Sequence, residues 1–306
     1  MSQTLRPISG VLPVVQTVFD EHDAIDDRAM EALLSWVLDQ GVAGLTTGMV
    51  SEILRLTESE RRHLNELVID AARARGALSV VSVGAESTRT AVAFARHADE
   101  RGADAVMAIP PITVGLDDAE TYRYFEAILE ATSIGVVVQD ASGYVGRPLS
   151  MEVQARLLEA YDGRVYFKPE AAPIGPRLSE LRDATAGRAR AFEGSGGAAV
   201  IDSFRRGIVG TMPGSEVCWA IQRMWEAAVA GDWPTAYAIS GPLNAMVSLQ
   251  TSIDTYVAIE KHLLVRQRVI PSELARGPLS FRIDPETRAE VDRLFDQLHA
   301  AVFVTA

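Results

Sequence analysis

Lysine is nearly missing from this chain. Of its 29 basic residues only Lys168 and Lys261 are lysine, and the others are arginine. Surface cations are therefore written as Arg, and a lysine kept in an apolar run needs its own explanation, because a guanidinium cannot do amine chemistry. Cysteine is scarcer: Cys218 stands alone, which excludes an internal disulfide, and its place in an expected helix beside Trp219 reads as a packed thiol. No apolar stretch reaches the roughly 20 residues of a membrane span. The opening MSQTLRPISG lacks the apolar core and cleavage pattern of a signal peptide, so a cytoplasmic location is expected. Basic clusters are absent too, and with 41 acidic residues and a net charge of -12, neither nucleic acid nor membrane is an expected partner. His22, His63, His97, His262 and His299 show no HxH or HExxH spacing, so no metal site is expected.

What is present is periodic. Short β-rich runs alternate with amphipathic helical stretches from about residue 10 to residue 230, the pattern of βα units around a parallel sheet. Eight strands are expected: near 11–19, 42–48, 78–84, 103–111, 134–140, 164–170, 189–194 and 208–214. Their apolar continuity suits strands covered on both faces. Helix starts follow capping chemistry, as at Thr57 with Glu60 and at Ser150 before Met151. Beyond residue 231 the strand signal stops and helical patterns run on, broken near Pro271, Pro278 and Pro285. Length alone allows one barrel or two ordinary domains. Eight repeats favour an α/β (β/α)₈ (TIM) barrel over 1–230 with a helical C-terminal extension over 231–306. A doubly wound sheet is disfavoured, since no GxGxxG follows the first strand and no P-loop occurs. Trp219, Trp225 and Trp233 are expected in the core or at a subunit interface.

In a barrel, chemistry sits where strands end. Lys168 ends the sixth strand after Val165, Tyr166 and Phe167. Desolvation there would favour the neutral amine, able to attack a carbonyl, and the competing reading is a lysine reaching to solvent from the rim. Glu170, two residues on, points to the same side if the strand persists, as an acid/base or an ion-pair partner. Glu52, Gln139, Asp140, Glu193 and Glu216 follow other strands, and each could instead cap a helix or solvate the rim. Lys261, on a C-terminal helix, is expected to be structural.

With the strands placed, the chain resembles the dihydrodipicolinate synthase and N-acetylneuraminate lyase superfamily along nearly its whole length. The matching text includes GVLPVVQTVF at 10–19, LTESER at 56–61, RGADAVMAIPP at 101–111, the strand ending in Lys168, Gly194 and GIVGTMPG at 207–214. The resemblance implies a barrel with a helical extension, assembled as a homodimer or homotetramer. It also implies a lysine at the Lys168 position that forms an imine with pyruvate or another 2-keto acid. No cofactor beyond that covalent imine is implied.

Several departures bear on function. The family's GTTGE loop reads Gly48-Met49-Val50-Ser51-Glu52, which keeps a backbone cradle but not the threonine hydroxyls. Its YNxP stretch, the usual source of a tyrosine proton shuttle, reads Gln139-Asp140-Ala141-Ser142, and glutamine cannot relay protons as a phenol does. Pro111 and Ile112 replace the paired tyrosines, and Tyr144 aligns with the arginine that binds a second carboxylate. True 4-hydroxy-tetrahydrodipicolinate synthesis is therefore disfavoured. The chain looks like a divergent branch with QDxP-like and MP-x-x-E motifs, although Ser51 and Ser142 replace that branch's glycine and proline.

The expectation is a class I lyase, an aldolase or dehydratase acting on a 2-keto acid such as a 2-keto-3-deoxy sugar acid. Lys168 would condense with C2, while backbone amides from Gly48 to Ser51 orient the carboxylate. Glu170 is the first candidate to move protons, with Glu52, Tyr144 and water behind it. Gln139 stands beside the imine, and Gly194, Met212, Glu193 and Glu216 are expected around the substrate, the two glutamates reading hydroxyls. The alternative class is a keto-acid-binding protein that has lost turnover.

Overall fold

The computed structural model describes residues 5–303. Eight parallel strands alternate with helices: β1 (Gly10–Val11), β2 (Gly44–Thr46), β3 (Leu78–Ser82), β4 (Ala105–Ala108), β5 (Gly135–Asp140), β6 (Val165–Pro169), β7 (Phe192–Glu193) and β8 (Gly210–Thr211). The helices between them are α1 (Asp27–Asp39), α2 (Glu58–Ala74), α3 (Thr88–Arg101), α4 (Asp118–Ala131), α5 (Met151–Ala160), α6 (Ile174–Ala184) and α7 (Val200–Arg205). They are followed by α8 (Cys218–Ala230), α9 (Trp233–Val247), α10 (Ile253–Arg266) and α11 (Pro285–Phe303). Two parallel ladders, β2 to β6 and β7–β8–β1, are joined by single parallel bridges, Val14 to Thr46 and Phe167 to Ala191. Every neighbouring pair of strands is thereby linked, and the sheet closes into the expected barrel.

Local chemistry sets the elements. Thr57 and Glu60 form a reciprocal capping box at α2, Ser150 caps α5 by accepting from Val153 N–H at 3.1 Å, and Gly231 ends α8 with φ 75°. The regular strands are shorter than the apolar runs that announced them. The run near 11–19 is a regular strand only over Gly10–Val11, although Leu12, Val14 and Val15 continue to bond the neighbouring strands on both sides.

Alternation along each strand sorts the core into two layers. Val80, Val137 and Tyr166 pack inside the barrel with Leu12, Met107 and Phe192, while Val81, Val136, Val138 and Phe167 pack outward against the helices. Gln139 and Lys168 follow Val137 and Tyr166 by two residues, so the same alternation turns both inward at the carboxyl end. They are direct cross-strand partners in the β5–β6 register. Trp219 is built into the core against Phe295, while Trp225 and Trp233 stack on Phe204. Among the described residues no helix is long and apolar enough to cross a membrane.

Candidate active site

A cavity opens at the carboxyl ends of the strands. Lys168 projects into it, only 4% exposed. Glu170 lies past the end of β6, yet its N–H still donates to Asp140 O at 2.9 Å, so the strand geometry continues by one more bond. Its carboxylate therefore falls on the same side as the amine: Oε1 is 3.3 Å from Lys168 Nζ, and Oε2 accepts from Gln139 Nε2 at 2.6 Å. Burial raises the Glu170 pKa above the usual carboxylate range, outweighing the opposing pull of Lys168 and Gln139. Gly194, on the facing β7 loop, closes the group. A Cβ there would lie 2.6 Å from Lys168 Cε and 2.7 Å from Glu170 Oε1, so any larger residue would collide with both.

Tyr144 and Tyr256 form the outer wall. Tyr144 OH donates to Tyr256 OH at 3.3 Å, with ring centroids 5.6 Å apart in an edge-to-face pair. Burial pushes both phenols up, with Glu170 a further upward influence on Tyr144. Glu260 lines the same cavity. Burial raises its pKa well above the ordinary value, aided by Glu216, and burial pushes Glu216 itself up to about 7.

The sequence brought several of these groups forward and missed others. Lys168, Glu170, Gln139, Tyr144, Gly194, Met49, Val50 and Met212 share the cavity. Tyr256 and Glu260 were not anticipated. Tyr256 and Glu260 are four apart on α10, on one helical face, and α10 packs against the turn at Met49–Ser51. That spacing was the available signal, but nothing local said the face would roof a barrel mouth.

Five expected substrate contacts, Gly48, Ser51, Glu52, Glu193 and Glu216, are placed otherwise. Ser51 is fully buried, with Oγ donating to Val15 O at 2.5 Å and accepting from Gly48 N–H at 3.0 Å. Ser51 N–H in turn donates to Gly48 O at 3.0 Å, so the Gly48 and Ser51 amides are already engaged within the turn. Glu52 adopts left-handed backbone geometry, φ 58°, which turns its carboxylate away to Lys261 Nζ at 2.5 Å and Arg276 N–H at 2.8 Å. Glu193 accepts from Ser195 N–H at 2.6 Å and from Thr211 Oγ1 at 2.7 Å, and it does not reach the cavity wall. Glu216 lies behind that wall, meeting Glu260 across Gly214. Lys261, fully buried, also donates to Leu274 O and lies 4.8 Å from the Phe19 ring centroid, which makes it a fixed internal cation.

Known proteins match this chain in both sequence and fold. The model of the dihydrodipicolinate synthetase family matches residues 7–298. A 4-hydroxy-tetrahydrodipicolinate synthase of Bartonella quintana is 29% identical over 177 residues, 58% of this chain and only 60% of that protein. An L-2-keto-3-deoxyarabonate dehydratase of Azospirillum brasilense is 27% identical over 290 residues, 92% of each chain. A prophage protein of the dihydrodipicolinic acid synthase family from E. coli K12, solved in complex with pyruvate, superposes with a TM-score of 0.85. At 20% identity over 95% of this chain and 98% of that one, its likeness concerns the fold.

Proposed function

The chain belongs to the dihydrodipicolinate synthetase family, and from that premise we propose that it is a Schiff-base lyase acting on a 2-keto acid through Lys168. The observation that carries this reading is a buried amine at the end of β6, 3.3 Å from a carboxylate, inside a cavity roofed by two phenols. Lys168 attacks the C2 carbonyl, and loss of water gives a protonated imine that serves as an electron sink. Glu170 is held by Gln139 beside the nitrogen, where it can take a proton from the carbinolamine or from C3. Tyr144 and Tyr256, on the outer wall of the cavity, relay protons in place of the missing shuttle tyrosine. With the Gly48 and Ser51 amides engaged, the substrate carboxylate is left the amides of Met49 and Val50. No metal or organic cofactor is required.

The relatives' names divide between a synthase and a keto-deoxy sugar acid dehydratase. Dehydratase or aldolase chemistry on a 2-keto-3-deoxy sugar acid suits this site better than the synthase reaction. No arginine lines the cavity among the described residues to receive a second carboxylate. Incubation with pyruvate and borohydride, read by intact mass and peptide mapping, tests the imine directly. An adduct on Lys168 is expected, and an unmodified Lys168 overturns the reading. If the adduct forms while a panel of 2-keto-3-deoxy acids is left unchanged, the chain is a keto-acid-binding protein without turnover.

A further inference from the structure

Gly214 follows β8, and its missing side chain leaves room for two carboxyl groups. A Cβ there would lie 2.4 Å from Glu216 Oε2 and 2.4 Å from Glu260 Oε1, so the two oxygens converge within twice that distance of each other. Both residues are nearly inaccessible, 4% and 1% exposed, and Glu216 Oε2 has no hydrogen-bond partner among the described residues. Glu260 is held from its other side. Ser215 Oγ donates to Gln16 Oε1 at 2.5 Å, which turns the Gln16 amide so that Nε2 donates to Glu260 Oε2. Oε2 is thus an acceptor, and Oε1 is left at Gly214, where Glu216 arrives.

Lys261 and Lys168 pull the Glu260 pKa down, but each is engaged elsewhere, Lys261 with Glu52 and Leu274 O and Lys168 with Glu170, and burial together with Glu216 outweighs them. The other titratable neighbours are Tyr256 on α10 and Cys218 on α8, and burial pushes both up, which keeps them neutral. Two carboxyl groups brought this close out of water, with the pull of the lysines outweighed, cannot both stay ionised, so the pair retains a proton.

We propose that Glu260, which lines the cavity and converges with Glu216 at Gly214, is the general acid that protonates a departing C4 oxygen, which makes the chain a carbon–oxygen lyase on 4-hydroxylated 2-keto-3-deoxy acids. The proposal rests on the imine reading above. Once the imine stands at C2, the C4 hydroxyl has two fates. Aldol cleavage needs a base to remove its proton, whereas elimination needs an acid to supply one. A buried pair that retains its proton supplies the acid. The C3 proton passes to a base and leaves an enamine, whose C2=C3 electron pair shifts to C3–C4 as the C4–O bond breaks. The oxygen takes the Glu260 proton and leaves as water. A second water hydrolyses the conjugated imine and frees Lys168, and the proton taken from C3 returns through solvent to Glu260. Glu216 does not touch the substrate and acts as a positioning residue through its charge.

The test incubates wild type, Glu260→Gln, Glu260→Asp and Glu216→Gln with the D- and L-2-keto-3-deoxypentonates, with borohydride trapping on pyruvate in parallel. Wild type is expected to release water without pyruvate. Glu260→Gln should still trap pyruvate on Lys168 while dehydrating about a hundredfold more slowly, with partial rescue in Glu260→Asp. In Glu216→Gln the repulsion that holds the Glu260 proton is gone, so the falling limb of the kcat profile moves to lower pH. Pyruvate release by wild type, wild-type turnover in Glu260→Gln, or an unmoved profile in Glu216→Gln overturns the proposal. Failure of wild type to trap pyruvate instead sinks the imine reading beneath it.

Discussion

Gly194 and Lys168 are in such close approach that the glycine acts as a spacer for the lysine: a Cβ at position 194 would fall 2.6 Å from Lys168 Cε. Contacts under about 3 Å force something to move, and both candidates here carry the chemistry. Gly194→Ala is expected to displace the amine and the Glu170 carboxylate together, lowering turnover by about a hundredfold, since misplacement of about 1 Å has effects of that size. The melting temperature should change little, because the cavity can absorb the shift. Borohydride trapping rates and a thermal melt check both, and wild-type kinetics in the alanine variant would contradict the spacer role.

Glu170 carries the second prediction. Burial raises its pKa, so it ionises, and becomes able to accept a proton, at higher pH than an ordinary glutamate. The rising limb of the kcat profile should therefore lie above the usual carboxylate range. In Glu170→Gln that limb should vanish, with turnover lower by about a hundredfold or more. A pH profile identical in shape for the variant would remove Glu170 from proton transfer.

The paired phenols give a third. Tyr256→Phe removes a hydroxyl that accepts from Tyr144 at 3.3 Å, at a stability cost of about 1 kcal/mol. Turnover is expected to fall about tenfold or more, with the KM for pyruvate exchange little changed. Solvent-isotope NMR of pyruvate C3–H exchange measures this step alone. Undiminished exchange in both Tyr256→Phe and Tyr144→Phe would show that the phenols only pack.

The chain's two lysines are predicted to separate cleanly. Lys261→Met leaves Glu52 buried against Arg276 N–H without its cation, which should destabilise the fold by about 3–5 kcal/mol. Adding Glu52→Gln should recover much of that loss. Lys168→Met also takes the cation from a buried carboxylate, Glu170, but burial already pushes that group towards its neutral form, so a smaller loss of stability is expected while trapping is abolished. Denaturant titration of the variants decides between the two roles.

Much of the fold was readable along the chain because its causes are local. Alternation by two residues sets which strand positions face inward, so the sequence alone puts Lys168 and Glu170 on one side. The N–H of Glu170 extending the β6 ladder is the detail that made this hold. Capping at Thr57 and Ser150 was equally local. The loop carboxylates were harder. Glu52 and Glu193 both follow strands, as active-site residues do, yet a left-handed turn at one and the Ser195 and Thr211 donors at the other draw them off the cavity.

By itself the sequence determined the repeat, the inward face of each strand and the position of the single amine at a strand end, since those depend on neighbours a few residues away. Tertiary structure alone decided what surrounds that amine. Gly194 comes from β7, Gln16 from the chain after β1, and Tyr256 and Glu260 from α10, 88 and 92 residues beyond Lys168 in the numbering. Their convergence follows from barrel closure and from the packing of α10 over its mouth, which no local pattern encodes. The same packing brings Glu260 and Glu216 together at Gly214, out of water.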